Sequence, residues 1–124
     1  MTIALWAILA ACLLPILCAW IAKAGAKGFD NSAPRDWIEK QSGWRQRADW
    51  AQRNHYEVFP AFAAAVLVAH LAHAPQAWAD ALAVAFVVLR LAYVAAYVFN
   101  RASLRSALWT LGFLCILGLF AISA

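Results

Sequence analysis

Residues 3 to 22 include no Asp, Glu, Lys or Arg, and no other feature constrains the fold of this chain so strongly. Two further stretches repeat the pattern: residues 81–99 hold one charge, Arg90, and residues 106–124 hold none. A fourth, residues 58–79, lacks acidic and basic residues but contains His70, His73 and Pro75. Each is close to the roughly 20 residues that carry a helix across a bilayer core. With 124 residues, 66% of them hydrophobic and 13% charged, a water-soluble domain would have too much surface for its volume to hide the apolar side chains. The expected fold is therefore all-α: an integral membrane four-helix bundle, one domain over residues 1–124, with spans at about 3–23, 49–72, 77–99 and 104–123.

A secretion signal would need a basic stretch ahead of a shorter apolar core. No Lys or Arg precedes Ile3, so the first block is kept as a helix. The three cysteines, Cys12, Cys18 and Cys115, lie inside expected spans without C-x-x-C spacing. They read as small apolar residues rather than zinc ligands or a disulfide framework. His70 and His73 lack a third ligand, so an interfacial role is favoured and no metal is expected.

Charge orients the bundle. Of ten basic residues, seven (Lys23, Lys27, Arg35, Lys40, Arg45, Arg47, Arg53) lie between the first apolar block and the second, and Arg101 and Arg105 flank the link between the third and fourth. The positive-inside rule then places loops one and three in the cytoplasm. The net charge of +4 reads as a topology signal; nucleic-acid binding is the poorer account and is not expected, because the basic residues are sparse and adjoin the spans. Loop one, with Gly25, Gly28, Pro34 and Gly43, reads as irregular with a helical turn after Pro34.

The segment RNHYEVFPAF, residues 53–62, runs charge directly into hydrocarbon with no turn residue. Pro60 does not end such a helix, because membrane helices tolerate proline. Arg53, Asn54 and Glu57 are spaced to cluster on one side of it. On the third span Arg90, Tyr93, Tyr97 and Asn100 form a polar stripe at helical spacing. A charge inside a membrane needs a partner or water. Two readings follow: a buried Glu57–Arg90 ion pair, or a polar cavity open to the cytoplasm. The basic excess of that cavity suits a ligand with carboxylates, which match arginine's planar fork. His55 and Tyr56 read as flanking residues that face the interface or a neighbour.

RNHYEVFP (53–60) followed by RLAYVAAYVFNRASLRS (90–106) resembles the MAPEG family, the membrane-associated proteins in eicosanoid and glutathione metabolism. The resemblance implies trimers of four-helix subunits, with glutathione as co-substrate between neighbouring subunits near the cytoplasmic face. Carried over by position, Arg53, Asn54, Glu57, Arg90, Tyr93 and Tyr97 would form the glutathione site, with Arg90 supporting Glu57. Arg105 would stabilise the thiolate with Ser106 as helper, and Lys23 would supply a further cation. Trp50 and Trp109 depart from residues found in some relatives and argue against eicosanoid substrates. The function implied is a glutathione-linked transferase or peroxidase of a bacterial inner membrane, acting on small apolar electrophiles that arrive through the lipid bilayer. The alternative is a catalytically silent scaffold or lipid-binding protein of the same fold. A small four-helix exporter is disfavoured, since the first span has no buried glutamate.

Overall fold

The computed structural model describes residues 1–124 and is all-helical. Five helices follow in order: α1 (Ile3–Lys23), α2 (Pro34–Glu39), α3 (Gly43–Leu71), α4 (Gln76–Val98) and α5 (Ala102–Ala121). Three of them, α1, α4 and α5, are long and apolar enough to cross a membrane.

α3 begins at Gly43, ahead of the expected start near Asp49. Its 29 residues rise about 44 Å against a hydrocarbon core of about 30 Å. The polar first turns therefore extend beyond the apolar part, and two arginines there hold other helices. Arg45 donates through Nη1 to the Ala22 carbonyl at 2.7 Å. Arg47 donates through Nε and Nη2 to the Val98 carbonyl at 3.2 and 2.9 Å. Two residues apart means about 200° around a helix, so the pair reaches opposite neighbours, the C-terminal ends of α1 and α4. A cation there satisfies orphan carbonyls and opposes the helix dipole.

At the other end of the bundle, Thr2 Oγ1 accepts from the Leu5 amide at 3.3 Å. Asp80 of α4 accepts from the Ala4 amide at 2.7 Å, so one helix caps another. The core is built on small residues. Ala4, Ala7 and Ala11 of α1 and Ala65 and Ala69 of α3 are buried, which lets these helices approach closely. Phe62 and Phe86 stack between α3 and α4 with centroids 3.9 Å apart. A Cβ on Gly118 would stand 3.2 Å from Leu82 Cδ1, so this glycine sets the α4–α5 approach; Gly112 has ordinary room, 3.8 Å from Arg90 and Phe86.

The link between α4 and α5 is a tight turn. Asn100 has φ +58°, a conformation asparagine tolerates better than most residues. The Arg101 amide donates back to the Ala96 carbonyl at 2.8 Å. Asn100 thus leaves the α4 stripe to which its spacing assigned it, because the helix ends at Val98.

Candidate functional site

The site starts from an arginine that the fold buries completely. Arg90 on α4 is 1% exposed. Its Nε and Nη2 both donate to His55 Nδ1 at 3.1 Å, and Nη2 also donates to Asn54 Oδ1 at 2.8 Å. The guanidinium carbon lies 4.1 Å from the Tyr93 ring centroid. An arginine supplies only donors, so His55 Nδ1 accepts and the ring proton sits on Nε2. Nε2 is buried and has no partner within the chain.

This arrangement corrects two expectations. Glu57 does not pair with Arg90. It is exposed and accepts from Asn54 Nδ2 at 3.0 Å. His55, read as an interfacial residue, is 3% exposed and faces the core. The cause is angular: His55 and Glu57 are two residues apart and point about 200° apart around α3. Only one can face α4, and the buried positions Ala51, Val58, Phe62 and Ala65 put His55 on that face.

Asn54 joins the buried network to the surface. Its Oδ1 accepts from Arg90 and its Nδ2 donates to Glu57. Arg53 turns toward Asp49 instead, with Nε to Oδ2 at 2.9 Å in the chain's one salt bridge. Asp49 was not singled out in the sequence, yet it is buried. Arg53, Asn54, Glu57, Tyr93 and Tyr97 nevertheless line one open cavity of about 250 Å³, with Trp50 as the sixth wall.

A second cavity of about 180 Å³ adjoins it through Tyr93 and is otherwise lined by Arg105, Ser106, Trp109 and Thr110 of α5. The Arg105 guanidinium lies 4.6 Å from the Tyr97 ring centroid, and Tyr93 and Tyr97 meet edge-to-face at 5.4 Å. Ser106 donates its hydroxyl to the Ala102 carbonyl at 3.2 Å, so that proton is directed along α5. Lys23 lies elsewhere. It lines a larger cavity of about 600 Å³ between the end of α1, α2 and α3, which shares Arg53 with the first. Its amine lies 4.8 Å from the Phe29 ring centroid.

No group of three His, Cys, Asp or Glu side chains could hold a metal ion, and His70 and His73 are both exposed. Cys18 and Cys115 are buried, while Cys12 faces outward.

The MAPEG family model matches residues 3–124. The chain belongs to the MAPEG family. No curated protein and no solved structure gives a significant match. MAPEG membership together with three apolar helices makes this an integral membrane protein, from a family that includes glutathione transferases and peroxidases. In this MAPEG chain, seven of the nine residues singled out beforehand line the two adjoining cavities, and a further one, Lys23, lines the larger cavity instead. Arg90 lies behind them and is linked through Asn54.

Proposed function

We propose that this protein is a glutathione-linked transferase or peroxidase that acts on small apolar electrophiles within a bilayer. The observation that carries the reading is the meeting of two cavities at Tyr93, one lined by Arg53, Asn54 and Glu57 and the other by Arg105. Glutathione bears two carboxylates, an ammonium and a thiol. Arg53 suits a carboxylate, Glu57 suits the ammonium, and a cation beside the thiol favours the nucleophilic thiolate. In a conjugation, the thiol proton is lost to solvent. The sulfur lone pair then forms the new C–S bond as the electrophile's leaving group departs with its own bonding pair. Arg105 would hold the charge on sulfur before attack.

Assembly is part of the proposal. Ligand pockets typically measure about 300–1,000 Å³, and a cavity of about 250 Å³ open on one side needs a further wall. Trp50, Glu57, Ala61, Ala64, Val68 and Leu71 form an exposed stripe along α3 at spacings of 7, 4, 3, 4 and 3. Small residues on such a stripe permit close helix approach. We read α3 as the fourth span and as the core of a homotrimer in a bacterial inner membrane. The domain then comprises all of residues 1–124, with loops one and three in the cytoplasm. In that arrangement a neighbouring chain would close the site, and native mass spectra should show trimers; monomers alone would remove the shared site.

A second reading, a silent scaffold, draws support from Ser106, whose hydroxyl is engaged by its own helix. Calorimetric titration of the purified protein with glutathione separates the two. Saturable binding with the ultraviolet absorbance of a bound thiolate is the expected result, and no binding would leave the scaffold.

A further inference from the structure

A fourth cavity lies outside this site, on α4, α5 and the turn between them. It measures about 530 Å³ and is lined by Ala92, Ala95, Ala96, Phe99, Leu104, Leu108 and Arg101. Three alanines make its floor. Phe99 and Leu104, 74% and 53% exposed, stand along it as walls. Arg101 is the only polar residue in the lining, and it has no side-chain hydrogen bond or ion pair within the chain.

The surroundings of Arg101 are cationic. Nine of the ten Lys and Arg residues, all but Arg90, lie in sequence at this end of the bundle. Arg47 is held against the Val98 carbonyl, at the end of the same α4. No Asp or Glu lines the groove. Arg101 also stands at the N-cap of α5, where a cation is unfavourable for the helix dipole. An anion beside it would remove that penalty. An apolar groove that ends at an unpaired guanidinium, at the mouth of a membrane bundle, matches one ligand form: a hydrocarbon chain with an anionic head. Basic pockets between membrane helices bind anionic lipid head groups for this reason.

We propose that this α4–α5 groove is a binding site for one anionic glycerophospholipid, its acyl chain on the Ala92–Ala95–Ala96 floor and its phosphate at Arg101. Alanines alone would also admit a second helix; the unpaired Arg101 at the end of the groove is what favours a chain with an anionic head. The site does not depend on glutathione and shares no lining residue with the cavities of the proposed reaction.

The test is native mass spectrometry of delipidated protein exposed to phosphatidylglycerol or to phosphatidylcholine with the same acyl chains. Two variants are compared, Arg101→Gln, which removes the charge, and Ala95→Phe, which fills the groove from an exposed position. The wild-type protein should retain phosphatidylglycerol about fivefold better than phosphatidylcholine, the scale of one arginine at a charged membrane surface. Arg101→Gln should abolish that preference, and Ala95→Phe should lower retention of both lipids. Helical circular dichroism should be the same in all three proteins. Equal retention of the two lipids by the wild type, or wild-type behaviour in both variants, overturns the proposal. So does a loss of higher oligomers in Ala95→Phe with lipid retention unchanged, which would make the groove a contact between copies of the chain.

Discussion

A double-mutant cycle on His55 and Arg90 tests the centre of the structure. Arg90 is buried to 1% exposure, and its guanidinium hydrogen-bonds to His55 and Asn54 and lies over the Tyr93 ring. His55→Leu removes the acceptor of two of its three contacts and leaves a buried cation under-satisfied. Arg90→Leu removes the cation but leaves His55 Nδ1 and Asn54 Oδ1 without a donor. Each single change should destabilise. The double change replaces most of the network with apolar volume, which is often close to neutral when charge and partner leave together. The magnitude follows from two scales. Hydrogen bonds to charged groups contribute about 1.5–3 kcal/mol. Interhelical bonds measured within membranes average about 0.6 and reach about 1.7 kcal/mol. A charged donor with two contacts belongs at the upper end of the membrane range, so the expected coupling is about 1–2 kcal/mol.

The control is the cycle on Glu57 and Arg90. Had these two formed a buried ion pair, breaking it would cost about 3–5 kcal/mol. Glu57 instead is exposed and reaches Arg90 only through the Asn54 amide they share, so Glu57→Gln should couple to Arg90→Leu by about 0.5 kcal/mol, the low end for residues in one network. Both cycles are read by reversible unfolding in mixed micelles, followed by circular dichroism. His55→Gln is the graded case, since its amide oxygen can still accept, and it should lose less than His55→Leu. A larger coupling at Glu57 than at His55 would refute the assignment of Arg90's partner.

Other expectations are shorter to state. Arg105→Leu should leave oligomeric state unchanged, remove the thiolate absorbance of bound glutathione, and lower conjugation of an aryl electrophile about 10²-fold or more, the scale of one electrostatic stabiliser; unchanged absorbance and turnover would return Arg105 to a purely topological role. Single cysteines at positions 32 and 76, replacing Ser32 and Gln76 in a background lacking the native cysteines, should label from opposite sides of the membrane, and equal labelling from the outside would overturn the topology. Arg47→Gln, which takes a bidentate guanidinium from the end of α4, should cost about 1–2 kcal/mol; no change in unfolding would mean that the Val98 carbonyl finds water instead.

How far the chain could be read without its structure differs from element to element. α1, α4 and α5 were legible because a long, charge-poor apolar stretch is decisive in a membrane protein. The first turns of α3 were not, since GWRQRAD has no apolar face to announce a helix; two carbonyls, of Ala22 and Val98, supply its reason for being there. The polar residues of the two small cavities were legible by spacing and by family likeness. Arg90's partner was not, because charge complementarity points to Glu57 and ignores direction. A signal was present nonetheless. Ala51, His55, Val58, Phe62, Ala65 and Ala69 recur at helical spacing and all are buried, so His55 occupies a core position on an otherwise apolar stripe. On a membrane helix such a residue must meet a polar partner, and the buried charge on α4 is the one available.

That choice of partner changes what Asn54 does. Had Arg90 taken Glu57, the asparagine amide would be free to turn either way. With Arg90 donating to Oδ1 and Glu57 accepting from Nδ2, both ends of the amide are assigned, and so is its orientation in the cavity. Glu57 is left exposed, with one carboxylate oxygen held by Asn54 and the other free of any hydrogen bond within the chain. The buried histidine and arginine therefore bear on the cavity without touching it, through a single side chain that cannot flip without losing both bonds.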